Sequence, residues 1–463
     1  MRNSATTRNQ GWPVLRHSAE ELQQQALEAL RAGSLEEAER LYRELYSQHP
    51  HPGVLHNLAL TLVRLRRDAE AVPLFEQSLA ARPADSNVRL ALSNALLNCD
   101  RPHDALARCE EVLAVDPRNR DARHNRAVAL RALNRHAEAA DALQALLAED
   151  PSDADAEFNL ALAELMLERY STAWLHYEAR WRGSNAQLPL PPSAAPIWRP
   201  GQSLANRVVL VQAEQGLGDS LQFLHLVPYL DAPCVRVDLQ VQPELVTLMR
   251  RQWPGRRIDP LATAPAPDVE MRIALLSLPL ALGLAGVGPV GAYLRADPQQ
   301  IERWRERLRR RSSRLIGIAW RGNPRKRHDP MRSIPVDQLR PWLEAARGKG
   351  WSVVALQRDA SADEREWLAQ FPHVEALGEE LKDFENTAAV TALSDQVLSV
   401  DTSVIHLAGA LGRPSIVLLR FSSDWRWGID RADGATYRSV RALRQRAPGQ
   451  WDPVVRDLID LLP

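Results

Sequence analysis

One interval organises the amino-terminal part of the chain. Ala38, Ala71, Ala105, Ala139 and Ala173 stand 33, 34, 34 and 34 residues apart. Pro50, Pro83, Pro117 and Pro151 keep that interval, each twelve residues after its alanine. A larger side chain follows every alanine four positions on: Tyr42, Phe75, Cys109, Leu143 and Tyr177. A unit of this length reads as one helix pair, which cannot bury its apolar face alone. The small alanine lets two helices approach closely, and the larger residue one turn along fills the groove between them. The proline ends the second helix and starts the next unit. Five units fit over residues 19–183. They predict an α-solenoid, a quasi-one-dimensional stack with a concave face.

This pattern resembles the tetratricopeptide repeat, whose usual task is to hold a peptide or protein. Asn57, Asn94, Asn125 and Asn159 recur on the first helices of units two to five. Their spacings of 37, 31 and 34 drift by about a turn in unit three. On a concave face they are candidate acceptor-binding residues, because an amide side chain both donates and accepts; solvated or interhelical asparagines are the alternative. Asp153 and Asp155 have the look of a metal pair but follow Pro151 at a helix start, where acids cap.

Composition narrows the rest. At 463 residues the chain has room for about three domain-sized units. Its 58 Lys+Arg balance 58 Asp+Glu, which excludes a strongly basic nucleic-acid binder and an acidic tail. The 3 cysteines, Cys99, Cys109 and Cys234, are too few for a disulfide framework or an all-cysteine zinc site, and a reducing, cytoplasmic setting fits them. The first residues carry no continuous apolar stretch of a secretory signal. Ala274 to Leu294 is uncharged and of about membrane length, but Pro279, Pro289 and a run of glycines interrupt it. It reads as a buried helix and then a loop, not a membrane span. Within it Gly286-x-Gly288-x-x-Gly291 spells a dinucleotide fingerprint without a preceding strand and with Pro289 in the loop, and is set aside.

The pattern changes after residue 183. Residues 184–206 hold Pro189, Pro191, Pro192, Pro196 and Pro200 and read as a stiff, extended linker. A short β-branched run follows at 207–212 and further strands read at 235–241, 315–320, 353–357, 397–400 and 415–419, alternating with helical stretches such as 301–311, 336–347 and 402–411. Such alternation predicts α/β architecture with parallel sheets: two Rossmann-like lobes over about 207–300 and 314–463 with a cleft between them.

Ligands of such sheets sit at the carboxyl ends of the strands. After the first strand comes Gly216-Leu217-Gly218-Asp219, where the glycines admit a ligand and Asp219 either caps the helix or faces the cleft as a base. After the strand at 315–320 comes a loop with Arg321, Asn323, Arg325, Lys326, Arg327 and Arg332, suited to phosphate or to solvent. Gln357 ends the next strand. After 397–400 comes Asp401-Thr402-Ser403, a helix start with the character of an anion site, and His406 one turn in.

Strand-GLGD-helix followed by LSVDTSVIHLAGALGRP resembles the family 9 glycosyltransferases, which include the ADP-heptosyltransferases. The closer resemblance is to bacterial chains carrying tetratricopeptide repeats ahead of such a domain, through AEQGLGDSLQF, LLSLPLALG, GIAWRGNP with DPMRS, LKDFENTAAV and DWRWGIDR. The layout also resembles that of the O-linked N-acetylglucosamine transferases. The resemblance implies a GT-B fold and an inverting transfer from a nucleotide sugar, with no metal or other cofactor. It implies Asp219 as the base. It implies Gly216, Gly218, Asn323, Arg332, Gln357, Asp401, Thr402, Ser403 and His406 as donor-binding residues. Two departures stand out: Lys326 replaces a histidine of many relatives, and ADGATYRS lacks an aromatic-proline pair. Asp424-Trp425-Arg426-Trp427 reads as packing or as a sugar or acceptor contact.

Three functions follow as expectations. The first is a protein glycosyltransferase whose repeats hold a polypeptide acceptor, flagellin in bacterial relatives of this layout. The second transfers sugar to a glycan or lipopolysaccharide. The third is a non-catalytic repeat scaffold with a degenerate nucleotide-sugar-binding domain.

Overall fold

A computed structural model describes residues 18–184, 190, 194–308, 314–323, 329–429 and 436–462. The chain divides into two compact units, Met1–Ala122 and Arg123–Pro463.

The first unit is a stack of helix pairs: α1 (Ala19–Ala32) with α2 (Leu35–Gln48), α3 (Pro52–Arg64) with α4 (Asp68–Ala81), and α5 (Ser86–Asn98) with α6 (Pro102–Val115). The division falls inside α7 (Arg120–Ala132). Two further pairs then involve α8 (His136–Glu149), α9 (Ala154–Met166) and α10 (Tyr170–Tyr177). The five spaced alanines and their larger partners four residues on are all buried. Local chemistry starts the helices. Ser18 and Glu21 form a reciprocal capping box on α1, Asp85 accepts from the Val88 amide at 3.1 Å, and Asp153 accepts from the Ala156 amide at 2.9 Å. The turn inside each pair passes through a left-handed residue: Gly33 first, then Arg66, Asp100, Asn134 and Glu168. Only the first is the residue that adopts this conformation freely; each of the others tolerates about 1 kcal/mol of steric cost.

The α/β part of the second unit holds two sheets whose paired strands are all parallel. The first contains β1 (Val208–Gln212), β2 (Arg236–Val241), β3 (Ile258–Pro260) and β4 (Met271–Ala274), in the order β3-β2-β1-β4. The second contains β5 (Leu315–Ala319), β6 (Ser352–Ala355), β7 (Val374–Ala376), β8 (Gln396–Val400), β9 (Ser415–Leu419) and β10 (Val440–Arg444), in the order β10-β9-β8-β5-β6-β7. Numbered from its own first strand, the second sheet runs 3-2-1-4-5-6, the doubly wound dinucleotide-binding order, and the first sheet is its leading half. Strand direction of winding reverses between β1 and β4 and between β5 and β8.

The helices of these lobes are α11 (Leu217–Phe223), α12 (Val246–Gln252), α13 (Leu278–Ala281), α14 (Pro298–Leu308), α15 (Asp329–Arg332), α16 (Arg340–Gly348), α17 (Ala362–Leu368), α18 (Phe384–Leu393), α19 (Ser403–Ala410) and α20 (Trp451–Asp460). The uncharged stretch from Ala274 is the end of β4, a 3-10 turn, the short α13 and then loop. Among the described residues no helix is long and apolar enough to cross a membrane. Trp304 and Leu308 seat α14 in the core of the second lobe. Of the proline-rich stretch, Pro189, Pro191 and Pro192 lie outside the described residues. The part that follows packs beside the first sheet: Trp198 donates its amide to the Arg272 carbonyl at 2.7 Å, and the Arg272 amide donates to the Pro196 carbonyl at 2.9 Å. The core of the first lobe includes Leu165, Trp174 and Tyr177 from α9 and α10. The last repeat and the first lobe therefore share one apolar interior.

One buried side chain gives this unit a pH dependence. His136, at the start of α8, is 4% exposed, and neither ring nitrogen has a hydrogen-bond partner. Burial, with the charges of Arg131 and Arg444, pushes its pKa down to about 4. The folded unit keeps the ring neutral while the unfolded chain takes up a proton below about 6.5. Stability is therefore full above that value and falls as pH drops toward 4. Burial pushes His225 and His373 in the same direction. His136→Leu is expected to flatten the pH 4–6.5 stretch of the urea-stability profile by up to about 3 kcal/mol, at roughly 1.4 kcal/mol per pKa unit. An unchanged slope would show that the ring is solvated in the folded state.

Candidate functional site

The two winding reversals lie in one unit, and the segments leaving their strands meet. β1 runs into Gly216, the N-cap of α11; β8 runs into Thr402, the N-cap of α19. The two helix starts pack directly on one another. A Cβ on Gly218 would lie 2.8 Å from Cδ2 of His406 and 3.5 Å from Cα of Ser403, so glycine is what permits the approach. The second glycine-dependent contact explains the HLAGALG stretch: a Cβ on Gly409 would fall 2.4 Å from the Tyr437 ring. Gly218→Ala is expected to cost about 1–3 kcal/mol by overpacking, measured as a lower urea midpoint. His406 has little room to yield, since its ring packs against Trp427 with centroids 5.5 Å apart.

Asp219 stands third in α11. One carboxylate oxygen accepts the Gly216 amide at 2.8 Å, half of a capping box. The other accepts from Arg426 at 2.6 Å. The side chain keeps 22% exposure. Arg426 is buried and fully engaged: it also donates to Gln222 at 2.5 Å and to Asp424 at 2.7 Å, and lies over the Trp425 ring at 4.6 Å. Burial pushes its pKa down, but the charges of Asp424 and Asp219 outweigh that and raise it.

At the other helix start, Thr402 caps α19 by accepting the Val404 amide at 3.3 Å and lies 3.0 Å from the Ser399 hydroxyl. Asp401 sits 3.6 Å from Nε2 of His406 and 3.8 Å from Arg332. Burial raises the Asp401 pKa; the nearby His406 and the charge of Arg332 outweigh it and hold the carboxyl well below the usual range. His406 is buried, with Nδ1 3.1 Å from the Tyr437 hydroxyl. Both ring nitrogens thus face protein groups, and the histidine fixes Asp401, which in turn faces Arg332.

The remaining expected residues fall around this centre. Gln357 is buried at the end of β6, accepting the Arg321 amide at 3.2 Å and donating to Asp359 at 2.7 Å. Asn323 is exposed in the loop after β5. Arg321 binds Glu364 at 2.9 Å and Asp359 at 3.0 Å, so acids already neutralise it. Arg325, Lys326 and Arg327 lie outside the described residues. Gly216, Gly218, Asp219, Arg332, Asp401, Thr402, Ser403 and His406 form the connected set.

The asparagines do not share one situation. Asn57, Asn125 and Asn159 each occupy the sixth position of their helix, while Asn94 is the ninth of α5 and is exposed. In the first unit, Asn57 lines a cavity of about 360 Å³ with Tyr42, His56, Arg82 and Asp85. In the second, Asn125 is half-buried, and Asn159 is held between helices, accepting from Arg131 at 2.6 Å and donating to the Asp155 carbonyl at 2.9 Å.

Sequence reasoning missed a group at the first lobe's own reversal. Arg180, in the turn after α10, is buried where β1 and β4 end. It binds Glu214 at 2.9 Å, Ser277 at 2.7 Å and Glu178 at 2.6 Å. Glu214 also accepts the Leu276 amide at 3.0 Å. Gln215, left-handed at φ 55°, donates to the Tyr177 hydroxyl at 3.0 Å. The crevice that a ligand would enter in this half-sheet is filled by the chain's own arginine.

Comparison with known proteins bears mainly on the repeats. Residues 24–86, 90–154 and 132–187 match the tetratricopeptide repeat family. Protein FlbA of Caulobacter vibrioides is 26% identical over 306 residues, covering 61% of this chain and 50% of that protein. The chain thus spans about half the length of the curated relative it matches. Among solved structures, MamA from Desulfovibrio magneticus is 24% identical over 35% of this chain and 91% of its own, with a TM-score of 0.32. A tetratricopeptide repeat protein from Parabacteroides merdae is 18% identical over 35% of this chain and 70% of its own, also with a TM-score of 0.32. The chain is a tetratricopeptide-repeat protein with a two-sheet α/β region behind the repeats.

Proposed function

We propose that this chain is a protein glycosyltransferase that moves a sugar from a nucleotide diphosphate donor to serine or threonine hydroxyls, with inversion and without a metal. The single observation that carries the reading is the meeting of the two helix starts: the GLGD turn after β1 packs on the DTS turn after β8, across the two winding reversals. A nucleotide donor is bound in many doubly wound folds at such a reversal. In this reading the amino end of α19, with Thr402 and Ser403, and Arg332 face the diphosphate, where amide dipoles and a cation oppose the charge of the leaving group. Asn323 and Gln357 border the donor. Asp219 takes the acceptor's proton through its remaining lone pairs as the hydroxyl oxygen attacks the anomeric carbon. The bond from that carbon to the diphosphate breaks on the opposite face. The polypeptide lies along the repeats, with the cavity at Asn57 as one seat, and flagellin is the first acceptor to try.

The test is a binding screen followed by a transfer assay. Uridine, adenosine, guanosine and thymidine diphosphate sugars are titrated by calorimetry, and the binders are incubated with flagellin for a mass shift. One observation favours a second reading. Asp219 is engaged on both oxygens, as a purely structural carboxylate would be, which fits a scaffold that binds a nucleotide sugar without turnover. Tight donor binding with no transfer to flagellin or to lipopolysaccharide would select that scaffold; transfer to lipopolysaccharide alone would make the acceptor a glycan.

A further inference from the structure

A short run of chain joins Asp219 to the repeat helices of its own unit, beside the direct contact of Phe223 in α11 with Trp174 in α10. The segment 421–428, which follows β9, is hung on α7 and the turn after it at two points. The Asn134 side chain donates to the Phe421 carbonyl at 3.1 Å, and the Ser422 hydroxyl donates to the Arg131 carbonyl at 3.2 Å. A third point is apolar: Trp425 packs edge-on against Trp174 of α10, centroids 5.5 Å apart. The segment carries Asp424 between these anchors and Arg426 directly after the last, and Arg426 ends on Asp219. Asn134 is also the left-handed residue of its turn.

We infer that this strap is a positioning element: the repeat helices, through Asn134 and Ser422, hold Arg426 in the place that aims Asp219. The inference rests on the reading of Asp219 as the acceptor's base. Its chemistry is geometric. A carboxylate acting on a hydroxyl must stand within hydrogen-bond reach with a free lone pair directed at it, and displacement by about 1 Å costs of the order of a hundredfold in rate. Asp219 has a single local restraint, the Gly216 amide; its second restraint is the guanidinium, whose fork is itself fixed by Asp424, Gln222 and the Trp425 face. Removing the distant anchors loosens that restraint without altering any group near the reacting atoms. The repeats are then part of the catalytic geometry as well as a seat for the acceptor.

The experiment uses the full chain carrying Asn134→Ala and Ser422→Ala together. Two readouts are taken: hydrogen exchange of the amides at 421–428, and transfer kinetics with the donor and flagellin pair that works for the unmodified chain. Faster exchange in the strap, a roughly tenfold lower kcat and a donor Kd within twofold are expected. Ser422→Thr, which keeps the hydroxyl, should restore most of the rate when Asn134 is intact. Exchange unchanged in the double variant overturns the inference with no need for turnover. Faster exchange with kcat unchanged also overturns it, and reduces the strap to packing. Absence of transfer by the unmodified chain is a separate failure, that of the glycosyltransferase reading. As a second variant, Arg426→Lys keeps the charge and loses the fork; an undiminished kcat there would likewise overturn the inference.

Discussion

Asp219→Ala should abolish transfer while leaving the donor bound. Loss of a positioned general base lowers rates by about 10²–10⁴-fold, so turnover with a competent donor and acceptor is expected to fall by about a thousandfold. Donor affinity by calorimetry should stay within twofold, because the donor contacts are assigned to α19 and Arg332. The variant also frees the Gly216 amide and Arg426, so its melting temperature must be recorded beside its activity. Loss of donor binding in a folded protein would make Asp219 a donor ligand or a structural cap. Equal turnover would remove it from catalysis altogether.

The largest effect on stability should come from Arg180→Met. The guanidinium is buried among Glu214, Glu178 and Ser277 and lies over the Tyr177 and Trp181 rings, 4.9 and 4.7 Å from their centroids. Burial pushes its pKa down, and the two glutamates outweigh that and raise it; burial also raises the Glu214 carboxyl against the pull of Arg180. Removing one partner of a buried pair strands the other, at a cost of about 3–5 kcal/mol. Urea unfolding should register that loss. A second change, Glu214→Gln, should recover part of it by removing the stranded charge. A shift below about 1 kcal/mol for Arg180→Met would mean that water reaches the network and the pair is not sealed.

Much of the fold could be read from the sequence because its signals are local. The repeat showed itself in alanine, a bulky residue and proline at constant offsets, each with a steric task inside a single helix pair. The central strands β1, β5, β8 and β9 were readable as mostly apolar runs, the mark of a strand buried on both faces, and β2 as Val237, Leu239 and Val241 alternating with polar residues. The strands that escaped are of two kinds. β3, Ile258–Pro260, and β7, Val374–Ala376, span three residues each, too few to show a period. β4 merges with the leucine-rich stretch that follows, and in β10 Arg441 and Arg444 interrupt the apolar run, so that neither stands out from a helix.

The site divides in the same way. Gly216, Asp219, Asp401 and Thr402 were legible because residues just past a parallel strand are placed by the strand. Arg180 was not, nor was the pairing of Arg426 with Asp219, although Arg426 itself stood out beside two tryptophans: these partners lie 34 and 207 residues away and no periodicity announces them. Asn94 departs from the register of the other three: one turn of drift places it ninth in its helix, at an exposed position. Asn159 belongs to the interhelical alternative, because its amide already bonds its neighbours.

The plugging of the first half-sheet by Arg180 bears on how such a protein can be taken apart or reassembled. A cut at the proline-rich stretch would strip the α/β region of the arginine that its Glu214 and Ser277 meet, and would lay bare the apolar faces that met Trp174 and Tyr177. The seam that respects the interior is upstream, within α7. Recombination between chains of this build could therefore exchange or multiply the early helix pairs freely. The last pairs would have to be inherited with the lobes, as a fixed adaptor onto which interchangeable recognition modules are spliced.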